Sequence, residues 1–272
     1  ALILAATQRV RGAAARLKCQ NNLRQIALGL HHYHDARGRL PPGVNSEVSG
    51  SPYPYASWLT HLLPFVERDD LWRQAESAYA KDANFLNDPP HAGLATWVPL
   101  YTCPSDGRTQ GIFTFQKTGK SVAFTSYLGV EGTNQFTADG VLYVDSRVRF
   151  ADITDGLSAT LMIGERPPSF DFRLGWWYAG WGQSQDGSAE MVLGVREKNY
   201  WNNGGSCPPG PYDFGPGDFD DRCSVFHFWS PHHGGANFAF ADGSVRFLRY
   251  SANPILPALA TRNGGEGLAI PD

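Results

Sequence analysis

The chain has 272 residues, of which 42% are hydrophobic and 18% charged, and a formal net charge of −3. This length and apolar content allow a sizeable core in one large domain or two small ones. The sequence has no Lys/Arg patch with interleaved aromatic residues, which argues against nucleic acid as the main partner. The opening apolar segment, ALILAA, is far shorter than the roughly 20 residues that a membrane-spanning helix needs.

The first 40 residues predict one long α-helix that ends at Gly38, ahead of Pro41 and Pro42. Its interior glycines, Gly12 and Gly29, each cost about 1 kcal/mol relative to alanine. At about 100° per residue, its apolar residues form two stripes on roughly opposite sides of the helix. The front stripe consists of Ile3, Ala6, Val10, Ala13, Ala14 and Leu17. The rear stripe consists of Cys19, Leu23, Ile26, Ala27, Leu30, Tyr33 and His34.

A helix that serves a single core keeps one apolar face, so two stripes indicate two partners. We predict that the rear stripe packs on the protein's own globular domain and that the front stripe contacts a membrane, sibling subunits or both. Because the chain begins inside an apolar segment, we expect a longer apolar run upstream in the precursor. The cluster of basic residues is either a collar flanking a membrane segment or a solvated face. It consists of Arg9, Arg11, Arg16 and Lys18.

The rest of the chain predicts a second helix followed by strands. Residues 57–81 favour a helix with Ser57 as its N-cap and a kink or break at Pro64. Three segments predict single strands: SVAFTSYLGV, LMIGE and EMVLGV. GVLYVDSRVRF predicts a strand, a turn and a second strand, and residues 236–250 predict a hairpin around an Asp-Gly turn. The tail beyond Ser251 is expected to be irregular. Strands that follow helices indicate an α+β fold, in which a long helix at residues 1–40 packs on a globular head with an antiparallel β-sheet at residues 41–272.

The sequence contains four cysteines. Cys207 and Cys223 bracket a loop rich in Gly and Pro, and a disulfide there would contribute about 3 kcal/mol in the chain-entropy model. Such a bond suits an oxidising compartment; the alternative is two unrelated thiols. Cys19 and Cys103 could also pair, but spacing alone leaves their connectivity open. The lack of a CxxC pair argues against a zinc ribbon.

Two groups of histidines are candidates for chemistry. His31 and His34 share one helix face, but without a partner motif we expect packed, hydrogen-bonded side chains rather than metal ligands. His232 and Asp242 could form a base with its orienting acid. If residues 236–241 form one extended strand, His232 and Asp242 lie at its opposite ends, roughly 20 Å or more apart at ~3.3 Å per residue. We therefore expect no catalytic site and no enzyme.

An acidic loop and an aromatic cluster each allow a binding role and a purely structural role. The acidic loop could hold calcium, although its spacing does not match an EF-hand, and the alternative is a solvated loop. Its carboxylates are Asp213, Asp218, Asp220 and Asp221. An aromatic cluster could stack on sugars, although core or subunit packing is favoured. It consists of Trp176, Trp177, Tyr178 and Trp181.

Four segments resemble hallmarks of a large family of bacterial prepilin-like proteins with a type II secretion or type IV pilin-like N-terminus. In chain order they are ATQRVRGAAARLKCQNNLRQIALGLHHYHDARGRLPPG, TCPSD, RVRFADITDGLSATLMIGER and HHGGANFAFADGSVRFL. The last resembles the family's C-terminal His-x9-Asp-Gly signature, carried here by His232, Asp242 and Gly243.

The resemblance implies a pilin-like fold and a non-catalytic structural subunit, pilin or pseudopilin, of a type IV pilus-like or type II secretion-like filament. It also implies a prepilin precursor, cleaved and methylated, anchored in the inner membrane before assembly, with its head periplasmic or extracellular. Self-assembly would use the N-terminal helices, and no cofactor is implied. The alternative is an envelope-anchored extracytoplasmic binding module for polysaccharide or calcium.

Overall fold

The computed structural model describes residues 2–201 and 206–265, without the side chains of residues 2–6, 8 and 9. Ile3 and Ala6 of the front stripe therefore lie outside the described side chains. The first helix, α1 (Leu2–Arg37), has 36 residues and a length of about 54 Å. It ends where the sequence predicts: Gly38 has a φ of 72° and donates its backbone N–H to the carbonyl of His34 at 2.7 Å. Among the described helices, none combines the length and the apolar character that crossing a membrane requires.

The predicted second helix is divided into two. Helices α2 (Trp58–Leu62) and α3 (Asp69–Tyr79) are separated by a 3-10 turn over Leu63–Phe65. Pro64 lies in this turn and has no N–H for the helical hydrogen bonds, so the chain breaks rather than kinks. Ser57 caps α2 as predicted, because its side chain accepts a hydrogen bond from a backbone N–H of the first turn.

A five-stranded sheet forms the centre of the head. In spatial order its strands are β5 (Val192–Gly194), β3 (Tyr127–Gly132), β4 (Leu161–Glu165), β8 (Gly235–Phe240) and β9 (Val245–Arg249). The remaining described strands pair as β1 (Ile112–Thr114) with β2 (Ser121–Ala123), and β6 (Arg196–Glu197) with β7 (Tyr212–Asp213). Strands β3 and β5 are parallel, whereas the other neighbours in the central sheet are antiparallel. The sheet is therefore antiparallel-rich rather than fully antiparallel as predicted.

The hairpin β8–β9 is confirmed with its Asp-Gly turn. Gly243 has a φ of 83°, which glycine adopts without strain, and its backbone N–H donates to the carbonyl of Phe240 at 2.9 Å. The carboxylate of Asp242 accepts a hydrogen bond from the backbone N–H of Ser244 at 2.8 Å. Both turn residues thus have the local roles that the sequence assigns to them.

Three further predictions of secondary structure differ from the structure. SVAFTSYLGV, predicted as one strand, is divided between β2 and β3, which lie in different sheets. Residues 140–150, predicted as strand, turn and strand, are irregular. Val141 and Leu142 are adjacent and both fully buried, which differs from the alternation of a half-buried strand. The tail, predicted to be irregular, contains helix α4 (Leu256–Ala260), because Pro257 is tolerated in a first helical turn.

The central sheet separates two hydrophobic clusters. Phe238 and Phe240 of β8 belong to the cluster that includes α4. Ala239, on the opposite face of the same strand, belongs to the cluster that includes the rear stripe of α1. The fully buried members of the rear stripe are Cys19, Leu23, Ile26, Ala27 and Leu30. The rear half of α1 therefore packs on the protein's own head, as predicted, while the domain boundary at residue 40 stays a prediction.

Candidate functional site

The front half of α1 projects from the head as an exposed helix. Five consecutive residues, Val10–Ala14, are exposed, and they cover more than the 3.6 residues of one helical turn. Val10 and Leu17 have 68% and 56% of their surface exposed. Apart from its chain neighbours and the backbone of its own helix, a Cβ atom added at Gly12 would meet no described atom within 4 Å. The described part of the front stripe is therefore an exposed apolar surface.

Polar contacts fix the helix where it leaves the head. The guanidinium of Arg16 lies 4.8 Å from the centre of the Phe247 ring on β9. One turn further on, Gln20 Nε2 donates a hydrogen bond to Asn237 Oδ1 on β8 at 3.0 Å. Asn22 Nδ2, which is buried, donates to the carbonyl of Thr102 at 3.1 Å. These contacts determine the direction in which the exposed half projects.

Both pairs of cysteines form disulfides. Cys207 and Cys223 are joined as predicted, with their Cα atoms 5.6 Å apart. Cys19 and Cys103 are also joined, with a Cα–Cα distance of 5.4 Å, so the pairing that spacing left open is resolved. The second bond connects α1 covalently to the head at the point where the helix leaves it.

A buried cluster of polar side chains surrounds this second disulfide, and we call it the junction cluster. Its members are Cys19, Cys103, Glu165 and His232, and one potential ligand atom from each lies within 4.8 Å of the others. The Nε2 atom of His232 lies 3.6 Å from Cys103 Sγ and 3.4 Å from Glu165 Oε1. Among the described residues, this is the one group of three or more such side chains close enough to share a metal ion.

The elements around the junction cluster hold its members in place. Glu165 ends β4, and its carboxylate accepts hydrogen bonds from the backbone N–H and the side-chain Nδ2 of Asn237, at 2.7 and 3.0 Å. The hydroxyl of Ser126 accepts from the backbone N–H of Cys103 at 3.0 Å. The hydroxyl of Ser230 accepts from the backbone N–H of His232 at 3.1 Å.

The neighbouring phenol, Tyr127, is held in its neutral form. Burial raises its pKa well above the ordinary value, and the nearby charge of Glu165 raises it further. Its hydroxyl accepts a hydrogen bond from Asn22 Nδ2 at 3.3 Å. Tyr127 therefore borders the junction cluster as an uncharged side chain.

The signature residues His232 and Asp242 lie on either side of β8 and do not form a pair. His232 precedes β8 and belongs to the junction cluster, which includes Cys19 of α1, whereas Asp242 lies in the turn that follows β8. At this turn, His31 Nε2 lies 3.0 Å from the carbonyl oxygen of Ala241. Cys19 and His31 are about 18 Å apart along α1, so the helix contacts the segments on both sides of β8.

The other candidate residues have local structural roles. The rings of His31 and His34 pack against the Phe150 ring in tilted orientations, at centroid distances of 4.5 and 4.2 Å. Trp177 is fully buried and donates to a backbone carbonyl, while Trp181 is 41% exposed. The aromatic cluster is therefore largely core.

The carboxylates of the acidic loop also have partners. Asp221 accepts hydrogen bonds from the backbone N–H of Cys223 at 3.0 Å and the hydroxyl of Ser224 at 2.8 Å. Asp213 forms an ion pair with Arg196 at 3.3 Å. Within the described residues, the acidic loop brings no three potential ligands together.

Sequence reasoning missed the junction cluster because its members are far apart in the chain. A signal was present, since each of the four family-like segments contributes one member: KCQNN, TCPSD, LMIGER and HHGG. Treating the segments as parts of one site would have brought these residues together.

The fold and the cluster define a mixed α+β protein whose long N-terminal helix meets an antiparallel-rich sheet at a buried polar site. Residues 8–254 match the family described as "Protein of unknown function (DUF1559)". Because this match covers most of the chain, the protein belongs to that family. No curated protein and no solved structure matches the chain.

Proposed function

We propose that this protein is a non-catalytic, pilin-like subunit of a type IV pilus-like or type II secretion-like filament in the cell envelope. The observation that carries the proposal is the division of α1 at Cys19. The rear half is buried in the head, and the front half presents Val10 and Leu17 to solvent. Such a helix leaves an apolar surface for sibling helices, or for the inner membrane before assembly.

The residues of the front half suit helix-to-helix packing. Gly12, Ala13 and Ala14 are small and exposed, so the backbones of neighbouring helices could approach closely. The two disulfides are consistent with an oxidising compartment such as the periplasm or the cell exterior.

The proposal is tested by placing a charge in the front stripe. We expect Val10→Asp and Leu17→Asp, in the full-length gene in its native cell, to abolish filaments seen by immunogold electron microscopy. The matched control is Val48→Asp, because Val48 is 92% exposed on the head and outside the front stripe. Thermal melts of the purified proteins should show the same folded head in all three variants. Filaments that persist in both front-stripe variants, or a wild-type protein that never assembles, would contradict the proposal.

A second candidate function is binding of an acidic polysaccharide, and a surface cavity of about 620 Å³ favours it. Aromatic rings can stack on sugars, and guanidinium groups bind carboxylates. Its lining includes Tyr33, Arg37, Arg39, Tyr53 and Trp72. This candidate predicts that polygalacturonate binds the wild type and not Trp72→Ala. Trp181→Ala, which lies outside the cavity lining, serves as the control; binding that Trp72→Ala leaves unchanged would exclude this cavity.

A further inference from the structure

We propose that the junction cluster binds one zinc ion when the Cys19–Cys103 disulfide is reduced. Reduction would turn the cluster into a set of two thiolates, one imidazole and one carboxylate. Zinc, a borderline-soft dication, takes these three ligand types, almost always as a tetrahedral set of four in structural sites. The cluster would then alternate between a disulfide and a metal site, which exclude each other because both use the same sulfur atoms.

The distances in the cluster match this coordination. With Zn–S bonds of about 2.3 Å and Zn–N or Zn–O bonds of about 2.0–2.1 Å, tetrahedral ligand atoms lie about 3.3–3.8 Å apart. The separation of His232 Nε2 from Glu165 Oε1 is 3.4 Å, and its separation from Cys103 Sγ is 3.6 Å. Cys19 Sγ already lies within 4.8 Å of the other ligand atoms. After reduction, the two sulfur atoms would have to separate from bonding distance to this tetrahedral spacing, by rotation of the Cys19 and Cys103 side chains.

The surroundings provide the outer contacts that metal sites use. Asn237 orients the carboxylate of Glu165 with two hydrogen bonds, and such second contacts fix the direction of a ligand. His232 also lines a surface cavity of about 320 Å³, together with Trp229 and Tyr250. This cavity gives an ion a route from solvent to the imidazole, while all four ligand residues stay buried.

A structural disulfide alone does not account for the other two members. The bond between Cys19 and Cys103 needs neither a carboxylate nor an imidazole beside it. Burial of Glu165 and His232 removes both groups from water, which is unfavourable unless each has a partner. Asn237 already donates to both oxygens of Glu165, and a cation held between Glu165, His232 and the two sulfur atoms would add the positive charge that balances the buried carboxylate.

The chemistry balances with a thiol as reductant. Two molecules of a small thiol reduce the disulfide, so that the S–S bond of the protein breaks and an S–S bond forms between the two reductant molecules. Zinc then displaces the two cysteine protons, which pass to solvent. An oxidising disulfide compound, reduced to two thiols, would reverse the process and expel the ion.

The test uses the complete chain expressed in a reducing cytoplasm and purified without oxygen. We expect about one zinc per chain by elemental analysis, and sulfur-to-metal charge-transfer absorption when cobalt(II) replaces zinc. Because the other cysteines could also bind zinc when reduced, the measurement is repeated with Cys207→Ser/Cys223→Ser, which should retain the full amount. Competition with a chromophoric chelator gives the affinity.

Single variants separate the site from adventitious binding. Asn237→Ala should weaken zinc binding about 10–100-fold, as expected for loss of a second contact, and His232→Gln should weaken it further. His233→Gln, at the exposed neighbouring residue, is the control and should bind like the wild type. A reduced wild-type chain that takes up no zinc, or equal zinc binding by His232→Gln and the wild type, would overturn the proposal.

Discussion

Asn237 donates hydrogen bonds to both carboxylate oxygens of Glu165, from its backbone N–H at 2.7 Å and from its side-chain Nδ2 at 3.0 Å. The side-chain oxygen of Asn237, Oδ1, accepts a hydrogen bond from Gln20 Nε2 on α1. One fully buried amide on β8 therefore links a buried carboxylate to the helix that projects from the head. The link lies where the exposed half of α1 begins.

We expect Asn237→Ala to lower the free energy of unfolding by about 2–3 kcal/mol. The substitution removes a hydrogen bond to a buried charged group, a contact worth about 1.5–3 kcal/mol, and leaves Gln20 without its acceptor. Urea unfolding followed by circular dichroism measures the effect. The matched control is Asn87→Ala, which removes an exposed hydrogen bond of 2.8 Å to Asp82 and should change the stability by less than about 0.5 kcal/mol. Equal losses in the two variants would show that the buried link contributes no more than a surface contact.

The two glycines of α1 should respond in opposite ways to alanine. A Cβ atom at Gly29 would lie 2.9 Å from Val66 Cγ1 and 3.2 Å from the carbonyl oxygen of Phe65. Overpacking of this kind costs about 1–3 kcal/mol, so Gly29→Ala should destabilise the head despite the better helix propensity of alanine. Gly12→Ala meets open space and should raise the helix content without lowering the stability. Circular dichroism and urea unfolding measure both effects, and the same sign of change in the two variants would contradict this interpretation.

The elements that the sequence predicts well depend on short-range patterns. The rear stripe of α1, the Ser57 cap and the Asp242-Gly243 turn are each determined within a few residues, and the structure places them as predicted. The irregular segment 140–150 and helix α4 were missed because packing against distant residues determines them. Val141 and Leu142 are both buried in the core, and so are Leu256, Leu259 and Ala260 of helix α4.

The candidate site illustrates the same limit. Sequence spacing correctly paired Cys207 with Cys223, because only a short loop separates them. The other disulfide joins residues 84 positions apart, and no local pattern specifies it. His232 was compared with the nearest acid in its own segment, Asp242, whereas its actual neighbour is Glu165 from another strand. Sheet pairing between β4 and β8 creates this contact, so it follows from topology rather than from spacing.

Removal of the Cys207–Cys223 disulfide should lower the free energy of unfolding by about 3 kcal/mol. The bond closes a loop with a sequence separation of 16 residues, and the chain-entropy model gives about 3 kcal/mol for such a loop. We expect Cys207→Ser/Cys223→Ser to lose this amount in urea unfolding, with the junction cluster intact. Treating the double variant with a thiol reductant should have no further effect at the 207–223 loop. A loss below about 1 kcal/mol would mean that the loop is equally ordered without the bond.

The buried carboxyl groups of Glu131 and Glu197 should make the stability fall as the pH rises. Burial raises the pKa of Glu131 well above its ordinary value of 4.5, and the negative charge of Glu197 raises it further. Glu197 accepts hydrogen bonds from the backbone N–H groups of Gly194 and Lys198, at 2.7 and 3.0 Å, so Glu131 is the member of the pair that keeps its proton. Above pH 4.5 the unfolded chain loses this proton while the folded chain retains it, and the stability therefore decreases until the raised pKa is reached. Glu131→Gln keeps a neutral hydrogen-bond donor and removes this decrease. The free energy of unfolding of Glu131→Gln, relative to that of the wild type, should therefore rise between about pH 5 and pH 8 in urea unfolding. Glu76→Gln, at an exposed position, is the control, and an advantage of Glu131→Gln that stays constant with pH would show that Glu131 does not carry the proton.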